Sequence, residues 1–144
     1  MNLRSLLIVL ALASLPLVGN AADIATVRLR GIGFAKGETG QTVLVPRGET
    51  TALSVEVTGV PDDVTRPVHL YTFIVRGTCG QLEEKATYEA NRSVLASSPG
   101  RLGPFRVRNT VNVALAALRE GPYAVVVRSA PADGNRPMFC GEIR

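Results

Sequence analysis

From residue 25 onward the chain is a succession of short runs in which apolar and polar residues alternate, separated by Gly, Pro, Asn and Asp. A period of two belongs to a strand with one buried and one solvated face, whereas a helix repeats its apolar residues every three or four positions. Ala25, Val27 and Leu29 alternate with Thr26, Arg28 and Arg30. Leu53, Val55 and Val57 alternate with Ser54, Glu56 and Thr58 and stop before Pro61, while Phe105 and Val107 alternate with Arg106 and Arg108. Residues 42–45, 123–128 and 138–143 read as further strands, with weaker ones at 87–88 and 94–96. Residues 68–76 are apolar on both faces, which predicts a central strand covered from both sides. No long amphipathic helix, internal repeat or low-complexity tract is present. Strands at this spacing predict an all-β sandwich or barrel.

The first 21 residues follow another logic. Arg4 supplies one positive charge, residues 6–18 form an uncharged apolar run, and Gly19-Asn20-Ala21 places small residues where a signal peptidase reads. These are the three parts of a secretory signal. We expect residues 1–21 to be a signal peptide cleaved after Ala21, with Ala22 nearly as good, and residues 22–144 to be one domain. A membrane anchor would need about 20 apolar residues, and this run is shorter and contains Pro16. No Cys follows the cleavage site to carry a lipid, and no later segment is apolar enough to span a bilayer. The expected location is the periplasm of a bacterium or the medium outside it, with the mature chain soluble.

Removing residues 1–21 takes away one cation, Arg4, and leaves 15 basic against 12 acidic residues, a net charge of +3. The excess is spread along the chain with no basic run, and no nucleic-acid-binding module is visible, so no nucleic-acid partner is expected. Cys79 and Cys140 are the two cysteines. In an oxidising compartment they read most simply as one disulfide; redox-active pairs usually sit close together, as in Cys-x-x-Cys.

Leu118, Gly121 and Tyr123 stand directly before the strand at 123–128. A Tyr in that position fits a tyrosine corner, in which the phenol hydrogen-bonds back to the chain across a connection between sheets. An ordinary turn followed by a core Tyr is the alternative. Residues 115–118 are expected to form a short helical turn bridging the sheets, which favours the corner and Greek-key topology.

Candidate chemistry is sparse. His69 is the one histidine, and alternation puts it on the same strand face as Tyr71. A catalytic zinc or copper centre normally draws three protein ligands, often with a His-x-His pair on such a strand. Asp62, Asp63 or a Met would have to complete the set, and no spacing points to them. Ser97-Ser98 lacks a nucleophile elbow, and Glu83-Glu84 are adjacent and point apart on a strand. Gly31-Ile32-Gly33 and residues 37–40 read as turns, since no helix follows them as a phosphate loop would require. Arg106 and Arg108 share a strand face, and Arg128 and Arg136 flank a turn-rich stretch. An anion or acidic-partner site there competes with an ordinary solvated sheet face. Asn91-Arg92-Ser93 is a glycosylation sequon only in a eukaryotic secretory pathway.

Four segments between 67 and 143 carry a resemblance. They are Pro67-Val68-His69-Leu70, Gly77-Thr78-Cys79, the Leu118-to-Tyr123 corner and Phe139-Cys140-Gly141-Glu142-Ile143. In this order they resemble small bacterial periplasmic proteins related to the copper/zinc superoxide dismutase and CHRD-type sandwiches. The resemblance implies an immunoglobulin-like Greek-key β-sandwich whose last strand is tied by a Cys79–Cys140 bridge. Metal-competent relatives carry His-x-His where this chain has His69-Leu70-Tyr71, and a further His where Arg128 aligns. Dismutase activity is therefore not implied. The expected function is that of an exported, non-enzymatic protein binding an unidentified partner through its surface, without a cofactor. Copper or zinc binding through His69 is one alternative, and pairing through an exposed sheet edge is another.

Overall fold

A computed structural model describes residues 23–144; the signal peptide assigned to residues 1–21 lies outside the described residues. The strands are β1 Ala25–Gly31, β2 Thr39–Arg47, β3 Thr50–Val57, β4 Tyr71–Thr78, β5 Gln81–Leu82, β6 Tyr88–Glu89, β7 Phe105–Val111, β8 Tyr123–Arg128 and β9 Pro137–Glu142. A short α-helix, α1 Leu115–Glu120, links β7 to β8. Every pairing is antiparallel, and the order β5-β4-β8-β9-β1-β2-β3-β7 makes one continuous path, with β6 also on β4.

The period-two pattern explains why that path curls. Along β1 and β3 the residues alternate between buried and exposed or half-buried, so each strand has one face to hide. Burying it requires the sheet to fold over on itself or to find a second sheet. β1, β2, β3 and β7 form one wall, and β4, β8 and β9 form the other. Leu29, Leu44, Val55 and Val107 from the first meet Ile74, Val125, Val127 and Phe139 from the second in a shared core. The result is an all-β, sandwich-like curled sheet rather than two separate sheets.

The turn from wall to wall is made at the end of β1, which stays paired with β2 at Arg30 and Thr39 and takes β9 on its other edge, Arg30 opposite Cys140 and Gly31 opposite Phe139. That crossing is tight. A Cβ on Gly141 would lie 2.2 Å from the carbonyl oxygen of Arg28, a backbone atom that cannot swing aside. Gly141→Ala is therefore expected to force β1 and β9 apart and to destabilise the fold by about 1–3 kcal/mol, as overpacking does. Urea unfolding measures this, and a variant as stable as the parent would refute so close a crossing.

β4 begins at Tyr71, later than the strand expected from residue 68. Residues 68–70 instead pair with the returning chain: Leu70 N–H donates to Val94 O at 2.8 Å and Ala96 N–H to Val68 O at 2.9 Å. Ser97 then exchanges two bonds with Arg106 on β7, at 2.8 and 2.9 Å. The segment expected as a weak strand at 94–96 thus closes the sheet, joining the lead-in of β4 to the far strand. The break near residue 91 has a local cause, because the Asn91 side chain accepts the Thr72 N–H at 2.6 Å in place of a backbone carbonyl. Such closure covers an edge that would otherwise invite pairing with another chain.

Residues 68–76 were expected to be covered on both sides, and β4 is. Ile74 lies in the main core, while Val75 joins Ala124, Val126 and Cys140 in a second cluster on the outer face, covered by Ile32, Phe73, Leu82 and Ala86. The loop that supplies this cover is pinned by the Cys79–Cys140 disulfide. No helix among the described residues is long and apolar enough to cross a membrane.

Candidate functional site

His69 sits half-buried on the lead-in to β4, opposite Leu95. Its Nδ1 lies 2.8 Å from the carbonyl oxygen of Pro67. A carbonyl only accepts, so the proton of the neutral ring belongs on Nδ1, leaving Nε2 with the lone pair. Two of the companions considered for a metal are engaged elsewhere. Asp63 pairs with Arg136 at 2.9 Å, and Met138 is buried in the core. The hydrogen bond from Arg136 holds the Asp63 carboxyl below the usual carboxylate range. Among the described residues no three His, Cys, Asp or Glu side chains come together in a metal-holding group.

The residues singled out before β8 form one packed unit. α1 carries the chain from one wall to the other, and its Leu118 is fully buried. Gly121 is extended, and a Cβ there would come within 2.9 Å of the Tyr123 ring, which folds back over it. The ring is buried, and its hydroxyl accepts from the Arg76 guanidinium at 2.9 Å. The phenol's hydrogen bond thus goes to a side chain on β4, where the corner reading expected one back to the chain itself. The disulfide pair, Cys79 and Cys140, has its own polar neighbour. Glu142 accepts the Cys79 N–H at 3.3 Å, and Arg144, more than that amide, keeps the Glu142 carboxyl below its ordinary range.

The arginines flagged in the sequence separate into two groups. Arg128 reaches Asn135 O at 3.4 Å and lies over the Phe73 ring, and Arg136 is spent on Asp63 and on the ring of Phe34, 4.2 Å away. Those two are engaged within the molecule. Arg106 is paired with Glu56 across β3 and β7. Arg108, two residues on, is in no ion pair among the described residues.

Around Arg108 the outer face of the first wall forms a groove of about 720 Å³. Register dictates its floor: Val43 lies opposite Ser54 and Ser54 opposite Arg108, while Val45 lies opposite Ala52 and Ala52 opposite Thr110. Alternation turns these side chains away from the core, leaving Val43, Val45 and Ala52 half-buried beneath a polar rim. Arg47, from the end of β2, and Arg92, from the loop after β6, complete the rim with Asn91, Ser93 and Asn112. The loop is held beside β7 by Asn109, whose amide accepts the Ser93 N–H at 2.8 Å and donates to Ser93 O at 2.7 Å. None of the ion pairs among the described residues uses Arg47, Arg92 or Arg108, and Glu89 is the one acidic residue lining the groove.

Three guanidinium groups of one sign, beside amide and hydroxyl groups, suit an anionic ligand: each offers a planar fork of N–H donors to carboxylate or phosphate oxygens. The sequence showed Arg108 on an outer face. It carried no sign that Arg47 and Arg92, each alone in a turn or loop, stand beside it. Against protein-family models, curated proteins and solved structures, the chain finds no match.

Proposed function

We propose that this chain is an exported, non-enzymatic β-sandwich protein of the bacterial periplasm or medium that binds an anionic partner through the Arg47–Arg92–Arg108 groove. The observation that carries the reading is the convergence of three exposed guanidinium groups without carboxylate partners on one grooved sheet face. Export rests on the N-terminal charge, apolar run and small-residue exit, and the disulfide is compatible with that destination. A Greek-key kinship with the superoxide dismutase-like and CHRD-type sandwiches is part of the same proposal. It is supported by the bridge that ties Gly77-Thr78-Cys79 to Cys140-Gly141 and by the helical crossing before Tyr123.

Binding of a polyanion such as polygalacturonate to the mature protein is expected to weaken as salt rises. The triple variant Arg47→Ala/Arg92→Ala/Arg108→Ala is expected to weaken it by about tenfold or more, since each exposed charge contact contributes roughly half a kcal/mol. Arg106→Ala, which removes an arginine already held by Glu56, serves as the comparison and is expected to change little. Equal affinity in parent and triple variant would remove the groove from the argument.

The two alternative functions fare differently. Copper or zinc binding through His69 finds no ligand cluster to lean on, and we expect metal titration of the mature protein to show no stoichiometric copper or zinc uptake. Uptake lost in His69→Ala would reinstate that reading. Pairing through an open sheet edge is disfavoured at β7, where Ser97 and the Asn109–Ser93 clasp cover the strand.

A further inference from the structure

Opposite the chain termini, the connections at the other end of the sandwich interlock. Thr58 Oγ donates to Glu38 Oε2 at 2.8 Å, Thr65 N–H donates to Asp133 at 3.1 Å, and Arg136 joins Asp63. Beside this end a second groove, of about 490 Å³, opens where the lead-in to β4 meets the start of β7. It is unlike the first in chemistry. Its floor is apolar, exposed Pro67 and half-buried Ala96 lying over the buried Val68 and Phe105, and its rim carries Arg66 and Arg101. The Arg66 guanidinium lies 5.4 Å from the centroid of the Phe105 ring. Neither arginine is in an ion pair among the described residues, and no acidic side chain lines the groove. The loop that brings Arg101 also carries Leu102, 86 % exposed and the most exposed of the large apolar residues described.

We propose that this groove binds a single-chain carboxylate amphiphile, its acyl chain along Pro67 and Ala96 and its carboxylate between Arg66 and Arg101. The site is separate from the Arg47–Arg92–Arg108 groove and does not depend on it. Its lining follows the pattern of small-ligand sites, which pair a mainly apolar surface with a few polar groups that fix orientation. Charge complementarity selects the head group: two guanidinium groups in a groove lined by no acid attract a carboxylate and leave a neutral head without its partners. Desolvating a guanidinium over an aromatic ring is tolerated because the ring face is itself electronegative, so Arg66 can remain over Phe105 while it reaches the ligand. A bound chain also gives Leu102 an apolar surface to cover, which water does not. A single molecule suits this end better than an anionic bilayer, because Asp62, Asp63 and Asp133 share the interlocked loops and would face the membrane charge.

The test is calorimetric titration of the mature, oxidised protein with dodecanoate below its micellar concentration, beside dodecanol and anionic phosphatidylglycerol vesicles. Saturable one-to-one binding of dodecanoate is expected, at least tenfold tighter than dodecanol. Arg101→Gln alone, a change at an exposed rim position, is expected to weaken dodecanoate binding several-fold. Arg66→Gln/Arg101→Gln is expected to abolish the preference over dodecanol, with the melting temperature unchanged in both variants. The Arg47→Ala/Arg92→Ala/Arg108→Ala variant is expected to bind dodecanoate like the parent, which separates this site from the other groove. Absence of saturable binding overturns the proposal. So does equal affinity for dodecanol, full affinity in Arg101→Gln and in the double variant, or binding to vesicles without binding to the monomer.

Discussion

Opening the Cys79–Cys140 disulfide is expected to lower the melting temperature by about 15 °C. The bridge spans a sequence separation of 61 residues. In the chain-entropy model, closing a loop of that length removes enough freedom from the unfolded chain to contribute about 4 kcal/mol. For a domain of this size each kcal/mol moves the melting temperature by about 4 °C. The folded state has its own stake in the bridge. Cys140 belongs to the outer cluster with Val75, Ala124 and Val126, and Cys79 anchors the loop whose Leu82 and Ala86 cover it. Once the loop is untethered, that cover rests on the two-residue pairings of β5 and β6 and a few hydrogen bonds beside them, such as Glu83 N–H to Arg76 O at 2.9 Å. Thermal melts with and without reductant, and of Cys79→Ser/Cys140→Ser, measure the effect. Coincident melts for oxidised and reduced protein would show that the bridge restrains neither state.

Phe139→Ala is expected to cost about 4 kcal/mol, a loss comparable to that of the bridge. Phe139 is the largest fully buried side chain, on the strand that pairs with β8 on one side and takes the end of β1 on the other. Truncating it removes the transfer free energy of a phenyl ring and leaves a cavity that strands held on both sides cannot close. Phe139→Leu, which fills most of the space, is expected to lose much less. Urea unfolding with an unchanged denaturant slope reads the difference, and a loss below about 1 kcal/mol would mean that the site collapses freely. Since a domain of this kind holds about 5–15 kcal/mol in all, combining Phe139→Ala with reduction should leave it largely unfolded at 37 °C.

These two effects differ in how visible they were beforehand. Two cysteines in a chain read as exported already implied the bridge, because cysteine number and the N-terminal segment are both legible without a structure. Phe139 was legible as one apolar residue in a strand, but not as the residue at the crossing of β1 and β9. Its place depends on β1 pairing with β2 for most of its length and with β9 at its end. The candidate sites divide in the same way. His69 stood out by being the single histidine, and the structure surrounds it with a backbone acceptor instead of ligands. Arg128 and Arg136, read together with Arg106 and Arg108 as a basic group, turn out to be spent on Asn135, Asp63 and aromatic rings.

What the sequence determined by itself was local: where most of the strands run, which of their faces is apolar, that residues 68–76 need cover on both sides, and that a helical turn precedes Tyr123. These follow from side-chain alternation and turn chemistry, which act between residues a few positions apart. The tertiary structure decided which strands are neighbours, that residues 94–97 close the sheet between β4 and β7, and that Arg47, Arg92 and Arg108 share one groove while Arg66 and Arg101 rim another. Those relations join positions tens of residues apart, and they are settled by how the apolar faces bury one another, so no single stretch of the chain carries a record of them.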